Sequence, residues 1–180
     1  MKERVVISRS GHRENALSQE FPFVSDFALT DSIDSKHPEF VKRYQANALS
    51  AYKNLSMPST SDEPWRRTDL RGLPVANFRL PNRTDRGAIE PEDLPTELLE
   101  PLTGEQHGGQ IIQTVQDTKI QLVSDLRNQG IVLTDFQMAE RDYPQIMENI
   151  LGKIVLPAEG KFAALVGAFE KKGVLVYVPK

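Results

Sequence analysis

Glu63 and Asp69 flank the chain's one tryptophan, Trp65, and a carboxyl group held against an indole can have its pKa raised into the range of a general acid or base. A hydrolytic reading would rest on that pair. The same letters are explained more simply by a Trp anchored in a small core, with Arg66 and Arg67 ion-paired to Asp62, Glu63 or Asp69, and this second reading is preferred. Ser59, Thr60 and Ser61 have no histidine near them in sequence, so a nucleophile activated by a neighbouring base is unsupported. His12, His37 and His107 stand alone, without a second ligand three or four residues away; each is expected to be a solvent-exposed surface residue, not part of a metal site. The run Gly104-Glu105-Gln106-His107-Gly108-Gly109 lacks the lysine and the strand-to-helix setting of a phosphate loop and reads as a turn.

The arginines allow a different chemistry. Residues 65–86 hold Arg66, Arg67, Arg71, Arg79, Arg83 and Arg86 against two acids, Asp69 and Asp85, with Trp65 and Phe78 available for stacking on bases. A module that binds single-stranded nucleic acid through this connector is the alternative function. The chain as a whole opposes it: net charge is -3, with 14 basic and 12 acidic groups in residues 1–90 but 8 and 13 in residues 91–180. Neither half is charged enough to dictate a partner, and nucleic acid is not the expected one.

Composition closes other routes. With no cysteine the segment can supply neither disulfides nor thiolate ligands nor a Cys nucleophile. No stretch approaches a signal-peptide core or a membrane span, so a cytoplasmic protein without membrane contact is expected. At 180 residues the chain suits one domain with a leader, and 12 prolines and 11 glycines predict short elements and long connections.

Those elements must position whatever site exists. Residues 1–35 show no sustained period and read as a mobile leader, or one that docks as an irregular arm. Pro38 opens a helix over 38–55, with Phe40, Tyr44, Ala48, Ala51 and Leu55 on one face, and Pro58 ends it. Between Leu73 and Pro101 five prolines leave room for a short strand near 76–80 and a turn of helix near 94–99. A hairpin follows, with strands at 110–116 and 120–123. A helix over 124–128 is closed by Gly130, and 131–133 is a brief strand. Thr134-Asp135-Phe136-Gln137 has the letters of a capping box with Thr134 as the cap, predicting a helix over 135–141 and a second over 144–151. Phe162, Leu165, Val166 and Phe169 fall at helical spacing in a helix over 161–172, ended by Gly173. Val174 to Val178 are five consecutive apolar residues, which suits a strand covered on both faces.

The expected fold class is α+β: a helical domain over 36–172 around a small sheet formed near Ala76, Gln110, Ile120 and Val174, with residues 173–180 as the first strand of something larger. Its core is expected to include Tyr44, Leu55, Trp65, Leu70, Ile112, Val132, Phe136, Ile150, Phe162, Leu165 and Phe169.

Met57-Pro58, followed by Asp62-Glu63-Pro64-Trp65-Arg66-Arg67-Thr68-Asp69-Leu70, resembles a signature of the SufB/SufD family of iron-sulfur cluster assembly scaffold proteins, most like the N-terminal region of the SufD branch. Gly130-Ile131-Val132-Leu133-Thr134-Asp135 is similar too. So are Phe162-Ala163-Ala164-Leu165, Ala168-Phe169 and the closing Gly173-Val174-Leu175-Val176-Tyr177-Val178-Pro179-Lys180, which resemble the segment where that family enters a right-handed parallel β-helix. The resemblance runs from about residue 38 to the end. It implies a non-catalytic scaffold subunit of a SufBCD complex, in which SufD pairs with SufB through the β-helices and each binds a SufC ATPase. It implies SufB-like and SufC-like partners in the full-length context, no cofactor in this segment, and iron-sulfur cluster and ATP handled by the whole assembly. Asp62, Glu63, Trp65, Arg66, Thr68, Asp69, Leu70, Tyr177 and Pro179 carry the motif, with a structural or interface role implied. The chain is expected to stop where the β-helix begins, leaving the family's partner surfaces and cluster residues without positions here.

Overall fold

Two helices that are far apart in sequence form the frame of the molecule. In the computed structural model, which describes residues 20–29, 37–80, 95–99, 107–114, 118–170 and 172–180, α2 (Glu39–Asn54) lies against α7 (Lys161–Phe169). Pro38 caps α2, Glu39 lies in its first turn and Lys53 in its last, each sign complementing the helix dipole. Its buried stripe is Val41, Gln45, Ala48 and Tyr52. From α7 the buried residues facing it include Ala164, Gly167 and Ala168.

That contact is close because α7 offers small side chains. A Cβ on Gly167 would lie 2.8 Å from Tyr44 Oη and 3.0 Å from Ala48 Cβ, and one on Gly152 would run into Tyr44 Cε2. The Tyr44 ring is therefore wedged between two glycines. The expected stripe on α7 is rotated accordingly: Val166 is 62% exposed, and Phe162 and Leu165 are half-buried.

Phe21, Val24, Ala48, Tyr52, Val75, Ala164, Ala168 and Phe169 make the larger core. Phe21 and Val24 come from the stretch expected to be a mobile leader, where residues 22–29 instead form a helix, α1 (Pro22–Leu29). Phe21 meets Phe78 edge-on at 5.6 Å and Phe23 meets Phe169 edge-on at 5.3 Å, so aromatic packing holds this segment down. The rest of the leader, with His12, lies outside the described residues.

The sheet differs from expectation. Instead of one sheet there are, among the described residues, two antiparallel pairs: β1 (Gly109–Gln113) with β2 (Thr118–Leu122), and β3 (Val132–Asp135) with β4 (Val174–Tyr177). Ala76 belongs to no strand; Pro74 leads a single 3-10 turn at Val75–Asn77 that buries Val75. A four-residue helix, α3 (Thr96–Leu99), stands in the proline-rich connector.

Between the strands, α4 (Ser124–Asn128) closes through Gly130, whose φ of +82° is the left-handed conformation favourable to glycine. Next, α5 (Phe136–Asp142) and α6 (Pro144–Ile150) cover β3 and β4 with a second, smaller core of Ala139, Met147 and Leu175. The cap of α5 is Asp135 and not Thr134: its carboxylate accepts from the Met138 amide at 2.8 Å, while Thr134 is a buried strand residue. α7 ends at Phe169, short of the expected Lys172, because Glu170 turns to extended backbone.

Of two further expectations, one holds in part: Phe169 is buried and Leu55, Phe162, Leu165, Val132 and Phe136 pack partly buried against the two cores, whereas Tyr44, Trp65, Leu70 and Ile112 are half-buried and Ile150 is exposed. The other fails. The closing strand is covered on one face only. Leu175 is buried, but Val174, Val176 and Val178, which share the opposite face, are exposed, Val176 at 62%.

Candidate functional site

The loop of residues 57–70 is ordered by its own short polar side chains. Asp62 accepts from the Ser59 amide at 2.7 Å and from its hydroxyl at 3.3 Å, and the Trp65 amide donates to the Asp62 carbonyl at 2.8 Å. Pro64 fixes the 3-10 turn Glu63–Trp65, and the Thr68 amide closes on the Trp65 carbonyl at 2.8 Å. The turn delivers the indole onto Phe162 at the start of α7, with ring centroids 5.3 Å apart and planes inclined by 29°. Phe162 in turn meets Phe21 at 6.5 Å. Two separated motifs of the sequence thus touch through a stacked pair.

The charged residues around Trp65 do not form an acid-base pair. Glu63 has a side chain 79% exposed and meets Arg66 at 3.3 Å, a surface pair. Asp69 is bound through both carboxylate oxygens by the Arg71 guanidinium, with Nε 2.8 Å from Oδ1. Those hydrogen bonds, from side chain and then backbone, pull its pKa down to about 2, the opposite of what a general acid at neutral pH requires. The hydrolytic reading fails on this point. Arg67 and Thr68 are exposed and Leu70 is half-buried. Arg66 and Arg71 are committed to neighbouring acids, and Arg83 and Arg86 lie outside the described residues.

Tyr177 and Pro179 belong to a different neighbourhood. Tyr177 pairs with Val132 across the β3–β4 ladder, and the Pro179 ring packs 3.5 Å from where a side chain on Gly130 would begin. The motif residues are therefore divided between the Trp65 loop and the outer end of β4.

Sequence reasoning missed a buried cation. The Lys161 side chain is 5% exposed; its Nζ donates to the Tyr52 carbonyl at 2.7 Å, lies 3.8 Å from the Tyr52 ring centre and 3.8 Å from Glu20 Oε1. It satisfies a carbonyl in the last turn of α2 and so ties the first turn of α7 to the end of its neighbour. A lysine beside Gly160 carried no signal for this, because nothing in sequence links it to Tyr52. His37 is the second miss. Expected at the surface, its Nδ1 lies 2.7 Å from Glu140 Oε2, with both side chains largely buried.

Among the described residues no group of three or more His, Cys, Asp or Glu side chains could hold a metal ion, and no helix is long and apolar enough to cross a membrane. The geometry supports adhesion between elements: an indole docked on α7, a lysine stapling α7 to α2, and an apolar strand face left open. Trp65→Ala is expected to lower the free energy of unfolding by about 2 kcal/mol, below the range for a fully buried aromatic because the indole is half-buried. Denaturant titration checks this; an unchanged midpoint would show that the stack on Phe162 adds nothing to the fold.

Comparison with known proteins gives one consistent answer. Residues 27–180 match the family described as SufBD protein N-terminal region. An iron-sulfur cluster assembly SufBD family protein of Pyropia yezoensis is 24% identical, over 94% of this chain and 37% of its own length. Another of that description, from Mycobacterium leprae, is 24% identical over 74% of this chain and 16% of its own. The chain thus spans well under half the length of these relatives. No solved structure matches it.

Proposed function

The chain belongs to the SufBD family, and from that premise we propose that it is the N-terminal part of a SufD-like subunit of a SufBCD iron-sulfur cluster assembly scaffold. In this reading it has no catalytic role. It lends the scaffold a folded front domain, works in the cytoplasm, and meets SufB-like and SufC-like proteins through the full-length subunit. Cluster and ATP are handled by the whole assembly, and the absence of cysteine fits a segment that contributes no thiolate to the cluster.

The single observation that carries the reading is the family match over residues 27–180. The Trp65 stack on Phe162 supports it physically, since both rings come from the segments that resemble the family. The open face of Val174, Val176 and Val178 supports the further proposal that β4 is the first strand of a β-helix, whose next coil would cover that face.

The natural full-length protein, affinity-tagged and recovered from cell extract with and without nuclease, tests this. SufB-like and SufC-like proteins should co-purify in both cases. Recovery without them, accompanied by nuclease-sensitive nucleic acid, would favour the arginine connector as a nucleic-acid-binding module and end the scaffold proposal.

A further inference from the structure

Glu140 on α5 and Glu170 at the end of α7 lie near the seam where α7 gives way to β4, since Phe136, one turn before Glu140, packs beside the Glu170 carboxyl at Gly173. Among the described residues their surroundings contain one basic partner. His37, just ahead of α2, has Nδ1 at 2.7 Å from Glu140 Oε2, and among the described residues neither carboxylate is met by a lysine or arginine. From α2 the groups facing Glu170 are Tyr44, a phenol, and Gln45, a neutral amide whose Nε2 donates to the Glu170 carbonyl at 3.3 Å. The other charged groups of the junction are turned away. Lys172 Nζ donates to the Thr114 carbonyl at 2.7 Å, and Asp135 is occupied by the Met138 amide.

Glu170 is also mechanically placed. Its Oε1 and the Phe136 ring each lie 2.6 Å from where a side chain on Gly173 would begin, so the carboxyl group packs onto the first bend of the exit strand. The Gly173 carbonyl is held by the Phe136 amide at 3.1 Å and by Gln113 Nε2 at 3.4 Å. The carboxyl, the bend and the first residue of α5 form one packed joint.

We propose that this joint is proton-operated: a proton on the Glu170 carboxyl keeps the start of β4 seated against α5, and its loss loosens that seat. An ionised Glu170 would set a charge beside the Phe136 ring, and His37, bound to Glu140, is the one basic group among the described residues that meets either carboxylate. The electrostatics agree with the geometry. Burial first, and then the Glu140 charge, push the Glu170 pKa up to about 7, and burial followed by the Glu170 charge raises that of Tyr44. An acid whose pKa is raised in the folded state binds more protons there than in the opened state. The joint is therefore tightest below the ordinary glutamate range and weakens as pH rises to about 7, above which no further change is expected. The inference rests on contacts within this chain and holds whether or not the scaffold reading does.

Amide hydrogen exchange, corrected for the intrinsic pH dependence of exchange, tests it on the wild-type chain and on Glu170→Gln. In the wild type, protection at the Phe136 amide and along the β3–β4 ladder should fall about tenfold between about pH 5 and about pH 8. In Glu170→Gln, which keeps the shape and removes the charge, protection should be flat over that range. Equal protection at the two pH values in the wild type would overturn the proposal, as would the same fall in the variant. Should Glu170→Gln not fold, Glu140→Gln removes the second, smaller cause of the raised pKa, so the fall in protection should move to lower pH, and a profile unchanged from the wild type would overturn the proposal.

Discussion

Phe169→Ala is expected to lower the free energy of unfolding by about 3 to 4 kcal/mol, the lower half of the range for truncating a core aromatic. The ring is 9% exposed and ends α7 inside the larger core, where Phe23 stands edge-on to it at 5.3 Å. Removing it strips one side of the contact that holds the segment before α2 to the body. A domain with a total of about 5 to 15 kcal/mol would lose a large share of its stability. Phe169→Leu, which refills most of the volume, should cost less than half as much. Urea titrations of the two variants decide it: a loss below about 1 kcal/mol for the alanine would mean that the ring is not in the core.

Gly167→Val is expected to cost about 3 kcal/mol, against the usual preference of a helix interior for anything other than glycine. Alanine at this position gains up to about 1 kcal/mol in helix propensity, but its Cβ must fit 2.8 Å from Tyr44 Oη and 3.0 Å from Ala48 Cβ. The tyrosine ring has nowhere to retreat, since Gly152 meets its other edge. Valine adds two methyl groups to that space. The crowding has a specific signature. Tyr44→Phe deletes the nearest atom, so Gly167→Ala should be better tolerated in the Tyr44→Phe background than in the wild type, a non-additivity expected only of residues in contact. A neutral Gly167→Val would show that α2 and α7 stand further apart than described.

How legible these features were in sequence depended on how local their causes are. Pro38 and Gly130 marked element ends correctly and α4 had its expected bounds, while the hairpin formed in the expected region with shifted strands, β1 ending at Gln113 instead of 116 and β2 starting at Thr118 instead of 120. The cap of α5 was misplaced by one residue because Thr134 and Asp135 carry equivalent signals; only the β3–β4 ladder, which needs Thr134 as a strand residue opposite Leu175, assigns the role to Asp135. The face of α7 was misread because periodicity weighs large apolar residues, whereas close helix contact selects small ones, here Ala164, Gly167 and Ala168. Val75–Asn77 and α1 depended on tertiary burial, which no window of sequence reports.

The site divides in the same way. Trp65 stood out as a lone indole among charges, and its turn was legible from Pro64 and Asp62, but its partner Phe162 lies at the other end of the chain. The pairing of His37 with Glu140, and the contact of Lys161 with Tyr52, join residues more than a hundred positions apart. Arg71 bonding Asp69 was within reach of sequence, two positions away, and it is this bond that removes Asp69 from acid-base chemistry.

The proposed part of this domain in iron-sulfur cluster assembly can be measured in cells whose own gene carries Gly167→Val. The measurement is the cluster content of iron-sulfur enzymes, read beside the level of the mutated protein. Cluster content should fall as the destabilised protein is lost, and wild-type protein supplied from a second copy should restore it. Iron-sulfur enzymes that kept their full cluster content after the mutated protein had disappeared would rule out a part for this protein in cluster assembly.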